Sequence, residues 1–130
     1  MKYIELIGRI FYSLIFLMTV MSHFSAETIG YAELKGVPVP SVLVSLSGII
    51  AMVGAISIIL GYKTKLGALL ITIFLLPVTL SMHAYWNETD PMQMQMQMIN
   101  FMKNISILGA AFFIAYFGAG PLSLDQRVAK

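Results

Sequence analysis

The sequence predicts an all-α integral membrane protein, a bundle of four transmembrane helices. Of its 130 residues, 58% are hydrophobic and only 11% are charged, whereas a soluble domain carries roughly 25% charged residues. The apolar residues form four runs, at about 3–24, 41–60, 66–86 and 97–118. Each run has the length with which a helix crosses the hydrocarbon core of a bilayer. Because the runs are continuous rather than alternating, helices are predicted instead of a β-barrel.

The connections between the four spans carry turn residues. The loop before the second span ends in Pro-Val-Pro-Ser, with Ser41 as the predicted N-cap of that helix. Residues 61–65 form a tight turn that begins with glycine, and residues 87–91 form a polar loop that ends in proline. Gly-Ala-Gly-Pro at residues 118–121 ends the fourth helix. With no internal repeat, residues 1–130 are predicted to form a single domain.

The distribution of basic residues predicts the orientation of the bundle. One side carries Lys2, Arg9, Lys63, Lys65, Arg127 and Lys130. The other side carries Lys35 and Lys103. Since Lys and Arg accumulate on the cytoplasmic side of membrane proteins, both termini are expected in the cytoplasm. A net charge of +2, dispersed along the chain, gives no indication of nucleic-acid binding.

Polar residues near the outer ends of the spans predict a shared pocket. Spans one and three both run outward, and the fourth begins on the same side. The pocket is predicted to comprise His23, Glu27, His83, Trp86, Gln97, Lys103 and Asn104. Polar groups in lipid need partners, because each unmet group costs several kcal/mol. They either bind the helices to one another or form a ligand or proton site, the usual role of ionisable residues in a membrane.

Two groups of residues have side chains of the kind that bind metals. His23, His83 and Glu27 would supply three ligands, but no short metal-binding motif supports them, and no metal is predicted. Methionine alternates with glutamine over residues 92–98, and thioethers suit Cu(I). In a helix these methionines divide between two faces, and they are interpreted as adaptable apolar filler. Whether this run binds copper stays open.

Several motifs follow one another along nearly the whole chain. They are GRIFYSLIF and SHF in span one, AELKGVPVPSVLVSLSGIIAMVGA through span two, MHAYW in span three, FMKN in span four, and GAGPLSLD after it. In this order they resemble the DoxX family of membrane proteins. The resemblance implies a small multi-pass protein of the bacterial inner membrane. The family's recurrent polar positions fall on His23, Glu33, His83, Lys103 and Asn104.

The resemblance also implies a function, a redox-associated membrane subunit linked to a quinone. In that interpretation the outer pocket holds the quinone headgroup, with His83 and Lys103 donating hydrogen bonds and Trp86 stacking on it. His23 or Glu27 would carry the proton. Whether the protein is an enzyme stays open; if it is one, the resemblance implies a quinone-linked oxidoreductase subunit.

Two further interpretations stay open beside it. One is a non-catalytic protein that binds a lipid or isoprenoid. The other is an assembly subunit that contacts other membrane proteins or a second copy of itself. Small residues of span two, Ser47, Ala51 and Gly54 among them, would permit such close helix contact.

Overall fold

The computed structural model describes residues 1–129 and confirms the all-α prediction. Four of its helical segments are long and apolar enough to cross a membrane. The α-helices are α1 (Lys2–Thr19), α2 (Ala26–Leu34), α3 (Pro40–Leu60), α4 (Thr64–Met82), α5 (Pro91–Phe117) and α6 (Leu124–Val128). Two 3-10 helices, Val20–Phe24 and Tyr85–Asn87, follow α1 and α4.

The four long helices pack in the order α1, α3, α4, α5. Helix α3 packs between α1 and α4, and α4 packs between α3 and α5. Alanines at the contacts, including Ala55, Ala68 and Ala111, are completely buried and let the helices approach closely. Helices α1 and α5 do not pack against each other in this way. One hydrogen bond, 3.4 Å long, crosses between them from Tyr12 Oη to the Ile107 carbonyl.

The bundle has two ends with different connections. We call the end with residues 1–9, 61–63 and 118–129 the termini end, and the end with α2 and residues 83–90 the loop end. The sequence suggested a loop for the segment that contains α2. It forms a helix because the Ser25 side chain caps it, accepting a hydrogen bond of 3.2 Å from the Thr28 amide. Ala32 of α2 is completely buried.

The helix boundaries differ from the predicted ones at the loop end. Helix α4 ends at Met82 instead of residue 86, because His83 leaves helical geometry (φ −119°, ψ 34°). Helix α5 begins at Pro91 instead of residue 97. Its start is stabilised by Asp90, whose carboxylate accepts a hydrogen bond of 3.0 Å from the Gln93 amide, and proline suits the first helical position.

The start of α3 also differs from the prediction. Val39 takes the N-cap position in a left-handed conformation (φ 43°), and Pro40 follows as the first helical residue. Ser41, the predicted cap, therefore lies inside the helix and makes no cap hydrogen bond. Pro40 suits the first helical position, because its ring fixes φ near the helical value and the N–H that it lacks would have no partner there.

At the termini end, Arg9 joins three parts of the chain. It is only 4% exposed, although it lies within the first membrane span. Its Nη2 donates 2.7 Å to the Leu122 carbonyl, and its Nη1 lies 3.5 Å from the Ile58 carbonyl near the end of α3. A cation at the C-terminal end of a helix is favoured by the helix dipole. Gly61 (φ +66°) passes so close to Arg9 that a side chain there would collide with it.

Asp125 caps α4 from a distance in the sequence. Its carboxylate accepts hydrogen bonds from the amides of Lys63 (2.6 Å) and Thr64 (3.0 Å). Its own amide donates 2.7 Å to the Gly61 carbonyl. Burial favours the neutral acid, but these amide hydrogen bonds and the Arg9 charge outweigh it and lower the pKa of Asp125. These hydrogen bonds thus bind the segment after α5 to the termini end of the bundle.

Candidate functional site

Three side chains at the loop end form a hydrogen-bonded chain that joins three helices. His83 Nδ1 lies 2.8 Å from Gln97 Oε1 of α5. Gln97 Nε2 in turn donates 3.0 Å to Tyr31 Oη of α2. Since Gln97 Oε1 only accepts, His83 carries a proton on Nδ1. We call His83, Gln97 and Tyr31 the polar bridge; it ties α2 to the ends of α4 and α5.

An ion pair binds the same short helix at its C-terminal end. Lys35 Nζ donates to Glu88, with side chains 23% and 20% exposed. Lys35 Nζ also lies 5.3 Å from the centre of the Tyr31 ring. The hydrogen bond to Glu88 raises the pKa of Lys35, because it favours the charged ammonium. Together with the polar bridge, this pair holds α2 across the loop end.

Beneath α2 lies an apolar groove of about 290 Å³ between α3 and α4, which we call the lateral groove. Its walls include His23, Ala32, Ser47, Phe74 and Val78. Leu43, Leu46 and Ile73, also part of the lining, are 42%, 48% and 50% exposed. These exposed apolar residues lie within the spans of α3 and α4 and face the hydrocarbon. The groove is therefore open sideways, towards lipid.

His23 is the ionisable side chain in the lateral groove. Its Nδ1 lies 3.0 Å from the Thr19 carbonyl, which requires the proton on Nδ1. Its ring packs edge-on against Phe74, with centroids 5.6 Å apart. A Cβ at Gly48 would lie 2.6 Å from His23 Cβ, so only glycine leaves room for the histidine. Among residues 1–129, Nε2 has no hydrogen-bond partner and remains available to a ligand.

The eight candidate site residues, seven of the predicted pocket and Glu33 from the family resemblance, fall into separate groups. His23 lines the lateral groove, whereas His83 and Gln97 belong to the polar bridge. Trp86 is 53% exposed and packs edge-on against Tyr85 and Phe101, with centroids 5.2 and 5.7 Å away. Its ring thus lies in an aromatic cluster at the loop end.

None of the other four candidate residues lines the lateral groove or belongs to the polar bridge. Glu27 and Glu33 of α2 are exposed. Lys103 is also exposed and donates 3.2 Å to Asn100 Oδ1, one turn earlier on α5. Asn104 is buried, at 7% exposure. Within the described part of the chain, no group of three or more His, Asp or Glu side chains could hold a metal ion.

Sequence reasoning missed the roles of Tyr31 and Glu88. Tyr31 lies in a segment for which a loop was predicted, so its place on a helix face was not recognised. Tyr31 and Lys35 lie four residues apart and therefore share a face of α2. Recognising Ser25 as a helix cap would have shown this face. Glu88 had no signal in the sequence, because its partner lies 53 residues away.

Comparisons with known proteins identify relatives of this chain. The SURF4 family model matches residues 1–130. The inner membrane protein YphA of Escherichia coli is 35% identical over 94% of this chain and 88% of its own. The yeast ER-derived vesicles protein ERV29 is 28% identical over 61% of this chain but only 25% of its own. The Drosophila melanogaster Surfeit locus protein 4 homolog is 29% identical over 65% of this chain and 32% of its own. No solved structure matches the chain.

These relatives confirm one prediction and overturn another. The chain is a multi-pass inner-membrane protein, with four span-length helices and an inner-membrane relative. The resemblance to DoxX is wrong, and so is the quinone-linked redox function that it implied, because the model of a different family, SURF4, matches residues 1–130. The motifs misled because each is a short, largely apolar stretch and none is specific by itself. The chain belongs to the SURF4 family.

Proposed function

We propose that this protein is a non-catalytic binding protein of the membrane, and that the lateral groove holds the hydrocarbon chain of a lipid. The observation that carries the proposal is the groove itself, apolar in its lining and open between exposed Leu43, Leu46 and Ile73. A void in a bilayer loses dispersion contacts along its walls. A lipid chain restores them without any polar group entering the hydrocarbon.

The wall of the groove also suggests what kind of lipid head it would accept. His23 offers Nε2 as an acceptor while Nδ1 donates to the Thr19 carbonyl. Thr28 of α2 lines the same groove on the side towards the loop end. A lipid with a hydroxyl or amine group near its first chain carbons would donate to His23, with the rest of its head beside α2.

In this proposal, the polar bridge and the ion pair Lys35–Glu88 act on the ligand indirectly. They position α2, whose Thr28 and Ala32 cover the groove. His83 and Gln97 are then positioning residues and not ligand contacts. By the count of basic residues, we also propose that both termini are cytoplasmic, so that the lipid enters from the periplasmic leaflet.

The proposal is tested by native mass spectrometry of protein extracted from the inner membrane in a mild detergent. Ser47→Phe places a ring in the groove from α3, whereas Val53→Phe places one on the 48% exposed lipid side of the same helix. We expect one lipid on the wild type and on Val53→Phe, and none on Ser47→Phe. Wild-type protein without lipid, or equal retention by both variants, would refute the proposal.

A further inference from the structure

The first turns of α5 extend beyond the end of α4. Gln97 of α5 contacts His83, which directly follows the last residue of α4. Helix α5 begins six residues before Gln97, at Pro91, a distance of about 9 Å along the helix axis. The side chains of residues 91–96 are all exposed. We call these residues the overhang, because they contribute no side chain to the core of the bundle.

Glutamines on different sides of the overhang indicate its surroundings. Gln93 and Gln95 are both exposed. They point about 200° apart around the helix axis, since each residue turns the helix by about 100°. A glutamine amide in hydrocarbon without a hydrogen-bond partner costs several kcal/mol. Neither side of the overhang is therefore suited to hydrocarbon, and its side chains are accessible from water or the lipid head groups.

Methionine is concentrated in the overhang and just after it. Of the ten methionines in the chain, four alternate with glutamine over residues 92–98. They are Met92, Met94, Met96 and Met98, with exposures of 71%, 40%, 52% and 44%, respectively. The sequence suggested that they act as apolar filler, but side chains this exposed fill no gap between helices. Their thioethers are instead open to a ligand.

One pair of these methionines lies beside aromatic rings. Met94 and Met98 are four residues apart, so their Cβ atoms lie about 5–6 Å from each other. Phe101 continues the same face of α5, at the spacing i, i+4, i+7. The rings of Tyr85 and Trp86 pack against Phe101, with centroids 5.5 and 5.7 Å away. The pair Met94–Met98 therefore shares its face of α5 with the aromatic cluster.

The other pair, Met92 and Met96, has the same spacing but different neighbours. Its face is turned by about 160° from that of the first pair. Ile99 continues this face in place of an aromatic residue. The two pairs thus offer the same thioethers in different surroundings.

We propose that Met94 and Met98 bind a Cu(I) ion beside the aromatic cluster, with the ring of Trp86 as the third contact. Methionine has three rotatable side-chain bonds, so two sulfurs one helical turn apart can reach a common ion. Thioether sulfur is a soft ligand that selects Cu(I), whereas Mg²⁺ and Ca²⁺ prefer oxygen. Among aromatic rings, that of tryptophan attracts cations best, and Trp86 is 53% exposed.

Asp90 adds a favourable charge to the same face. It lies four residues before Met94, and its carboxylate caps α5 by accepting a hydrogen bond from the Gln93 amide. The positive end of the helix dipole disfavours a cation near the first turn, and a carboxylate there offsets this effect. The site thus combines two soft ligands, an aromatic ring and one negative charge. It differs in kind from the clusters of His, Asp or Glu that hold harder metal ions.

The test is a titration of the protein in detergent micelles with Ag(I), which has the charge and the soft character of Cu(I) but is not oxidised by air. The chain has a single tryptophan, so the fluorescence of Trp86 reports binding at this face. In a chloride-free buffer, we expect saturable quenching that ends at one Ag(I) per chain. Met94→Leu/Met98→Leu should weaken binding by at least about tenfold, since even the loss of an outer-shell partner costs that much at metal sites. Leucine keeps the size and the helix propensity of methionine, so the fold is retained.

The matched control is Met92→Leu/Met96→Leu, which removes two thioethers at the same spacing from the other face. This variant should keep the affinity and the quenching of the wild type. An anaerobic titration with Cu(I) against a competing chelator should rank the three proteins in the same order. Quenching of the wild type that does not saturate, equal weakening in both double variants, or binding of Ag(I) without binding of Cu(I) would each overturn the proposal. Ser47→Phe should bind the ion as the wild type does, so the result is independent of the lateral groove.

Discussion

The two ends of the bundle use polar side chains in different ways. At the termini end, Arg9 and Asp125 bind backbone carbonyls and amides. At the loop end, His83, Gln97 and Tyr31 bind one another, and the lateral groove beside them is open. Backbone partners are fixed by the helices, whereas side-chain partners can change with a rotamer. The termini end is therefore the more rigid one, and the loop end is where a ligand can be accommodated.

The largest effect should come from Arg9→Met, which removes the hydrogen bonds that Arg9 donates at the termini end. We expect a loss of about 3 kcal/mol in unfolding free energy, because a hydrogen bond to a charged group contributes about 1.5–3 kcal/mol. Unfolding by SDS in mixed micelles measures it. The control is Arg127→Met, on an exposed residue. Equal stability of the two variants would mean that the contacts of Arg9 are unimportant.

Gly48→Leu should have the next largest effect, at the loop end. A side chain there displaces His23, because even a Cβ would lie 2.6 Å from the histidine Cβ. Overpacking of this kind costs about 2 kcal/mol, measurable by the same unfolding experiment. Gly109→Leu is the matched control, because nothing lies within 4 Å of its Cβ. If both substitutions lower the unfolding free energy equally, the close packing of His23 against α3 does not account for the loss.

Asp125→Ala removes the long-range cap of α4 and should cost about 1 kcal/mol. Because the folded-state pKa of Asp125 is lowered, its contribution is present above the unfolded pKa of about 3.9 and is lost as the pH falls through the folded value. The wild-type advantage over Asp125→Ala should therefore disappear in acid. Asp90→Ala, which uncaps α5 at the loop end, should change global stability less. A larger loss of stability in Asp90→Ala than in Asp125→Ala would contradict the comparison of the two ends.

Lys35→Met should have the smallest effect, about 0.5 kcal/mol, as for a partly exposed ion pair. The raised pKa of Lys35 means that its contribution is complete below the unfolded pKa of about 10.4 and is lost as the pH rises through the higher folded value. Hydrogen exchange of the α2 amides should accelerate in the variant at neutral pH. Glu33→Gln, on an exposed residue of the same helix, is the control. Unchanged exchange in Lys35→Met would show that the ion pair does not hold α2.

The sequence predicted the four spans well because lipid acts as a simple solvent for them. Any run of about 20 apolar residues must be helical in hydrocarbon. Helix ends were predicted less well where capping decided them, as at Asp90 before α5 and Ser25 before α2. Both caps are common sequence signals. Hydrophobicity did not reveal them, because it changes little at those positions.

The candidate site was less predictable, because it depends on which helices are neighbours. His23 and His83 both lie at the loop end, as their positions at the ends of spans one and three imply. Their different surroundings follow from packing, since His23 fits against Gly48 of α3 whereas His83 turns towards Gln97 of α5. A period of 3.6 residues identifies a helix face but does not identify what that face meets.

By itself, the sequence determined that this chain is a four-helix membrane protein, because a chain with so few charged residues can be stable only in lipid. The tertiary structure alone decided that Asp125 caps α4, that the lateral groove opens below α2, and that α1 and α5 leave an edge uncovered. Each of these depends on groups that are distant in the chain. The reason is that hydrophobic burial is a property of composition, whereas a hydrogen bond or a groove exists only once two helices have a fixed position relative to each other.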